Sequence, residues 1–163
     1  MDYSIYLEAF NPAGLGLDSQ LQNNRLGNEV YFFEQGDPPE LLKGFEIAII
    51  GVNEDRRSPG NDGCAMAPDQ IRKYLYRLAA HKCKLNIIDL GNIKKGEQVS
   101  DTYFALKSTL IEVYKADALA IVLGGSQDLT YPMYLACEET GRIVNLVSID
   151  SRLDYAADSE ITD

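Results

Sequence analysis

A chain of 163 residues, 45% hydrophobic and 25% charged, is long enough to bury one core and has the make-up of a globular domain rather than a fibrous or disordered one. Its formal net charge of -10 argues against a nucleic-acid or anionic-membrane partner, because both are held by clustered Lys and Arg and the nearest approaches here are Arg56-Arg57 and Lys94-Lys95. No apolar run nears the roughly 20 residues of a membrane span and no signal peptide is evident, so the cytoplasm is the expected location; Cys64, Cys83 and Cys137, without C-x-x-C spacing, read as reduced thiols.

Residues 1–44 are the least regular part. Asn11-Pro12, Gly14, Gly16, Gly27-Asn28 and Asp37-Pro38-Pro39 interrupt short apolar pieces, leaving loops, one strand over 30–33 and a helical turn over 39–43. A buried-strand run follows at 46–51, then a loop over 52–67 filled with Asn53, Ser58-Pro59-Gly60 and Asn61-Asp62-Gly63. A loop of this length is either a plain surface connection or a functional one. Pro68 opens a helix predicted over 68–80, with Ile71, Tyr74, Leu75 and Leu78 facing the sheet and Arg72, Lys73 and Arg77 on the solvated side. His81 then reads as a helix-end surface residue, since the chain has no second histidine to share a metal ion.

The next elements are a strand at 85–90 ending at Gly91-Asn92, and a helix at 101–115 capped by Ser100 or Asp101 with Phe104, Leu106, Leu110, Ile111 and Val113 on its apolar stripe. A strand at 118–123, a helix at 129–140 and a strand at 143–149 complete the series. Strands alternating with helices predict a three-layer α-β-α domain around a doubly wound parallel sheet with right-handed crossovers, over residues 45–163. The chain stops just after its last predicted strand, before any helix that would cover it, so a truncated domain is expected.

The organising unit is 116–154. Its two strands end at Gly124-Gly125 and at Asp150, and a crossover would bring Gly124, Gly125, Ser126, Gln127 and Asp128 beside Asp150, Arg152 and Asp154 at the carboxyl edge of the sheet, where open α/β sheets bind ligands. Plainer readings stand beside this one: Asp128 caps the following helix, with Thr130 as rival, and Arg152 is a surface residue. Gly124-Gly125-Ser126 before a helix also suits a phosphate, although neither G-x-G-x-x-G nor a P-loop lysine is present.

Three stretches share an ordered pattern: G-V-N-E-D-R-R-S-P-G-N-D-G-C-A-M-A-P-D-Q-I-R-K-Y-L-Y-R-L at 51–78, Asp89-Leu90-Gly91-Asn92, and the pair G-G-S-Q-D at 124–128 with S-I-D-S-R-L-D at 148–154. On these the chain resembles the ureohydrolase family of arginase, agmatinase and formimidoylglutamase, whose glycine-rich loop and A-P-x-x-I-R helix, D-x-G turn, and G-G-D-H-S and S-I-D-A-H-x-D motifs occupy the same order. The resemblance implies an arginase-like fold, of which this chain is the N-terminal portion. It also implies a site where a first-motif histidine and the D-x-H-x-D trio hold two manganese ions and activate a hydroxide against a guanidine or amidine carbon.

This chain departs from the pattern where the metals bind. Gln127 replaces the first-motif histidine and Arg152 the middle histidine of the second; Asp150 and Asp154 retain ligand positions, and the family's later D-x-D pair has no counterpart. A guanidinium has no lone pair to donate, and two like charges 4 Å apart cost roughly 4 kcal/mol at an effective dielectric of 20. The expectation is therefore a chain without catalytic residues or cofactor, serving binding, scaffolding or regulation, with Arg152 bridging the carboxylates in place of a metal. The alternative is a manganese-dependent hydrolase of small guanidino or formimino compounds in a full-length, homo-oligomeric protein.

Overall fold

The computed structural model describes residues 2–15, 24–80 and 85–150. Its centre is a five-stranded sheet of β1 (Leu7–Glu8), β2 (Val30–Phe32), β3 (Ile47–Val52), β4 (Ile87–Ile93) and β5 (Leu119–Leu123). The strands run in the order β1-β4-β3-β5, with β2 also on β4. β3 and β4 form strands because both are apolar runs covered on both faces, as a parallel sheet requires. β3 pairs with β5 from Ile47↔Leu119 to Gly51↔Leu123 and with β4 from Ile47↔Ile87 onward. β2 is also parallel to β4, whereas β1 adds an antiparallel rung, Leu7↔Ile93.

Helices α2 (Val99–Lys115) and α3 (Thr130–Glu139) cover one face, where Leu106, Leu110, Val113 and Ala136 pack on Ala48, Ile50, Ile88 and Leu90. Helix α1 (Ala67–Leu75) lies on the other, where Tyr76 and Leu75 meet Ile49, Ile87 and Leu123. The α-β-α layering and the parallel core thus stand as the alternation implied. No helix among the described residues is long and apolar enough to cross a membrane.

Several local expectations change. Residues 143–149 form no strand: they run as irregular chain beyond α3, with Ile143, Leu146, Val147 and Ile149 exposed. Strand composition is not enough unless the segment docks on a neighbouring strand, and among the described residues this one does not. Helix α1 ends at Leu75 instead of 80, and its expected faces hold only in part: Leu75 packs on the core and Arg77 is exposed as expected, but Arg72 is fully buried while Ile71, Tyr74 and Leu78 are exposed. A buried carboxylate on β4, described below, needs that guanidinium, and charge pairing overrides the apolar spacing. β4 carries through Gly91-Asn92 instead of ending there. α2 starts at Val99 with a reciprocal Gln98–Asp101 capping box, so Asp101 serves the cap from the third helical position. Phe104 lies half out of the core, edge-on to Tyr6 at 6.0 Å. His81 and Cys83 lie outside the described residues; Cys64 and Cys137 are free thiols.

Candidate functional site

The carboxyl ends of β3 and β5 lie side by side through the Gly51↔Leu123 pair, and the chain leaving each strand builds the candidate site. Beyond β5, Gly124 and Gly125 turn with φ of 62° and 91°. A Cβ on Gly125 would stand 2.8 Å from the Val52 carbonyl oxygen and 3.2 Å from that of Glu54, and one on Gly124 would stand 2.7 Å from Pro68 Cδ. Two glycines are therefore what lets the β5 exit pass between the β3 exit and the start of α1. The Ser126 amide then donates to the Glu54 carbonyl at 2.9 Å. Gly125→Ala is expected to lower stability by about 1–3 kcal/mol through its positive φ and the backbone clash. Gly60→Ala, also at positive φ but with open space around it, is the control in urea unfolding and should cost less; equal midpoints for the two would refute the close approach.

The loop after β3 is pinned, not loose. Glu54 is fully buried and its carboxylate accepts the backbone N–H groups of Asp55 and Arg56 at 3.1 and 3.0 Å, Arg56 Nε at 2.9 Å and the Thr102 hydroxyl at 3.1 Å. Burial alone would push this carboxyl up, but the hydrogen bonds from Arg56 and Thr102 outweigh it and hold it down at about 2. Arg56 Nη1 also donates to the Glu97 carbonyl at 2.7 Å, so the loop is fixed to the start of α2.

The second turn of α2 reaches the other side of the site. The Tyr103 hydroxyl donates to the Asp128 carboxylate, and burial together with that carboxylate pushes the phenol well above its ordinary range, so it stays a donor. The Arg57 guanidinium lies 6.0 Å from the Tyr103 ring centre. Asp128 consequently does not cap α3, which starts at Thr130 after a single 3-10 turn at Gln127–Leu129. A carboxylate that accepts a buried phenol gains more than one shared with solvent at a helix end. Asn53 Oδ1, Ser126 Oγ and Asp128 Oδ1 are each withdrawn from solvent without a hydrogen-bond partner among the described residues. Buried polar atoms of this kind cost about 1–3 kcal/mol each unless something satisfies them.

A second polar cluster lies under α1. The Arg72 guanidinium donates to both oxygens of Asp89 at 2.7 and 2.8 Å, to the Gly91 carbonyl at 2.8 Å and to Asn92 Oδ1 at 2.5 Å. It also stacks 4.7 Å from the Phe10 ring centre. The Tyr76 hydroxyl donates to Asp89 as well. The cluster is closed to solvent and every polar group in it is engaged, so it fixes α1 to β4 instead of receiving a ligand. Sequence reasoning placed Arg72 in water; the signal for its burial was the spacing of Pro68, Arg72 and Tyr76 at i, i+4 and i+8 opposite an aspartate inside an apolar strand.

Of the residues the sequence singled out, Gly124, Gly125, Ser126, Gln127 and Asp128 stand together at the end of β5. Asp150 lies at the end of the exposed run 143–150, which the structure does not pair with β5. Arg152 and Asp154, and with them the expected carboxylate bridge, lie outside the described residues. Among the described residues no three His, Cys, Asp or Glu side chains gather closely enough to hold a metal ion. Gln127 offers an amide oxygen and Asp128 is already engaged by Tyr103, a donor set unlike a manganese cage.

Fold and site together define an arginase-like α/β protein. Residues 45–162 match the model of the arginase family, and the chain belongs to that family. Among curated proteins it is 27% identical over 122 residues to the formimidoylglutamase of Klebsiella pneumoniae strain 342, covering 71% of this chain and 38% of that one. It is 32% identical over 97 residues to the formimidoylglutamase of Citrobacter koseri, covering 57% of this chain and 31% of that one. The chain thus spans well under half the length of the relatives it matches. The crystal structure of Trypanosoma cruzi formiminoglutamase with Mn2+ superposes with a TM-score of 0.56 at 25% identity over 60% of this chain and 36% of that one. Formimidoylglutamase from Bacillus subtilis shares the fold with a TM-score of 0.61 at 18% identity, over 78% of this chain and 45% of that one.

Proposed function

We propose that this chain is a non-catalytic member of the arginase family, an α/β scaffold that serves binding or regulation without a dinuclear manganese centre. The observation that carries the reading is the head of α3. Gln127 occupies the position of the first-motif histidine, and its neighbour Asp128 accepts the Tyr103 hydroxyl. Arg152 stands at the second histidine position of the motif in the sequence, and a guanidinium is always charged and has no lone pair to give a metal. Asp150 and Asp154 are the retained metal positions, and Gly124, Gly125, Ser126 and Asp128 form the rim of the site.

The test is manganese binding by calorimetry and metal content by plasma mass spectrometry on the chain purified with added manganese. The expected result is no stoichiometric manganese, with Gln127→His combined with Arg152→His raising the affinity roughly tenfold or more. Near two manganese ions per chain, with release of ammonia, urea or formamide from a small guanidino or formimino compound, would overturn it in favour of the hydrolase reading. Retention of Asp150 and Asp154, and the formimidoylglutamase relatives, are what favour that second reading.

A further inference from the structure

Between the pinned residues after β3 and the start of α1, the loop reaches an open tip. Asn61, Asp62 and Gly63 are exposed, and a Cβ added at Gly60 or Gly63 would meet nothing within 4 Å. The tip carries the one Asp-Gly pair in the sequence, Asp62-Gly63, and the sequence has no Asn-Gly. Gly63 has φ 90° and ψ 1°, and the Cys64 amide donates to the Asn61 carbonyl at 3.4 Å, so residues 61–64 form a type II turn with glycine where positive φ is required. Such a turn is closed by its outer residues. The amide between its two central residues, that of Gly63, stays outside the closing bond and donates to no group among the described residues.

An aspartate carboxyl group is open to attack by the amide nitrogen of the next residue, closing a five-membered ring, when that nitrogen is unbonded, uncrowded and able to rotate. Elsewhere in this chain the fold withholds it. The amide after Asp55 is given to the Glu54 carboxylate at 3.0 Å, that after Asp117 to the Val113 carbonyl at 3.2 Å, and that after Asp128 to the Ser126 carbonyl at 3.2 Å. Asp37 precedes a proline, which has no N–H to lose. The Asp89 carboxylate is locked in the Arg72 cluster. At Asp62 the nitrogen is unbonded, the glycine that carries it has no side chain to crowd the attack, and the space around the tip is open.

We infer that Asp62-Gly63 is a site of spontaneous backbone isomerisation, where the chain forms a succinimide and then an isoaspartyl link. The Gly63 nitrogen bonds to Asp62 Cγ and loses its proton, and the carboxyl hydroxyl takes up a proton and leaves as water. Water then adds to the former main-chain carbonyl carbon of Asp62 and breaks its bond to the Gly63 nitrogen. Nothing is oxidised or reduced, and the water lost in the first step is regained in the second. The main chain now runs through Asp62 Cβ and is one methylene longer, and the old carbonyl has become a free α-carboxylate. That carboxylate is the class of group esterified by a carboxyl methyltransferase with a sulfonium methyl donor. The added length falls just before Cys64, whose thiol donates to the Glu54 carbonyl at 3.9 Å, the same carbonyl that receives the Ser126 amide. The change therefore reaches the rim of the candidate site through the β3 exit.

The 163-residue chain, kept folded at body temperature and neutral pH for several weeks, tests this. Peptide mapping with electron-transfer fragmentation locates isoaspartate, and methyl transfer from labelled S-adenosylmethionine by a purified isoaspartyl methyltransferase counts it. The expected result is isoaspartate at Asp62 at least roughly tenfold above that at any other aspartate. Asp62→Glu, which would need a six-membered ring, should abolish the signal and leave the urea midpoint unchanged. Asp62→Asn should close the same ring faster, with ammonia released in place of water. A synthetic peptide of residues 58–66 should isomerise within about tenfold of the rate in the folded chain. Isoaspartate no higher at Asp62 than elsewhere, or label undiminished in Asp62→Glu, would overturn the inference. So would a folded chain slower than the peptide by more than about tenfold, by showing that the fold withholds the Gly63 amide.

Discussion

Asp89→Ala is expected to lower the stability of this protein by about 3–5 kcal/mol, the range for removing one partner of a buried ion pair. The carboxylate receives a two-pronged contact from Arg72 at 2.7 and 2.8 Å, the Tyr76 hydroxyl and the Gly91 amide at 2.8 Å. Arg72 has no solvent to turn to once that carboxylate is gone, since it is enclosed by α1, β4 and the Phe10 ring. Losing about 3–5 kcal/mol removes a large share of the roughly 5–15 kcal/mol that holds a domain together, so the unfolding midpoint should fall steeply. Arg72→Lys should be intermediate, because an ammonium keeps the charge but cannot make the planar fork. Combining Arg72→Met with Asp89→Leu should recover part of the loss by removing both charges together, while Tyr76 and the Gly91 backbone stay underpaired. Urea midpoints for the four chains decide it. A midpoint for Asp89→Ala within about 0.5 kcal/mol of the parent, a change typical of surface sites, would mean that the pair does not anchor α1.

What the sequence made legible follows what is local. β3 and β5 were visible as short uncharged apolar runs, and the Gly124-Gly125 turn because positive φ at two consecutive positions leaves few alternatives to glycine. The family resemblance rested on ordered motifs of the same local kind, and the match over residues 45–162 bears it out. The polar network was not legible. Asp128 and Tyr103 are 25 residues apart, Arg72 and Asp89 are 17 apart, and no local pattern states that such groups meet. Arg72 was misplaced because helix periodicity treats every charge as a surface marker, whereas a fully engaged guanidinium can occupy the sheet-facing row. Residues 143–149 failed in the opposite sense. Their composition suits a strand, but a strand forms only where the segment reaches a pairing partner, and among the described residues 143–149 pair with none.

Glu54 should govern how the protein responds to acid. Its carboxyl is held at about 2 against an ordinary 4.5, so its contribution is fully present above pH 4.5 and is lost as pH falls toward 2. The full shift corresponds to roughly 3 kcal/mol, and water around the half-buried Arg56 trims this to about 2 kcal/mol. Urea midpoints measured from pH 7 down to about pH 2 should fall more steeply through this window for the parent than for Glu54→Gln, which starts lower and has no proton to take up. The curves should converge at the acid end. Thr102→Val should shift the whole parent curve down by about 1–3 kcal/mol, since its hydroxyl donates to Glu54 at 3.1 Å and accepts from the Gly96 amide at 3.1 Å and from Arg56 Nη2 at 3.3 Å, while the main Arg56–Glu54 contacts stay in place. Because Glu54 also positions the backbone that receives the Ser126 amide at 2.9 Å, acidification should loosen the rim of the candidate site before the core opens. Hydrogen exchange at Ser126 rising ahead of that at Ile88 as pH falls, after correction for intrinsic rates, would support this order. Parallel acid curves for the parent and Glu54→Gln would instead assign the acid response to another carboxylate.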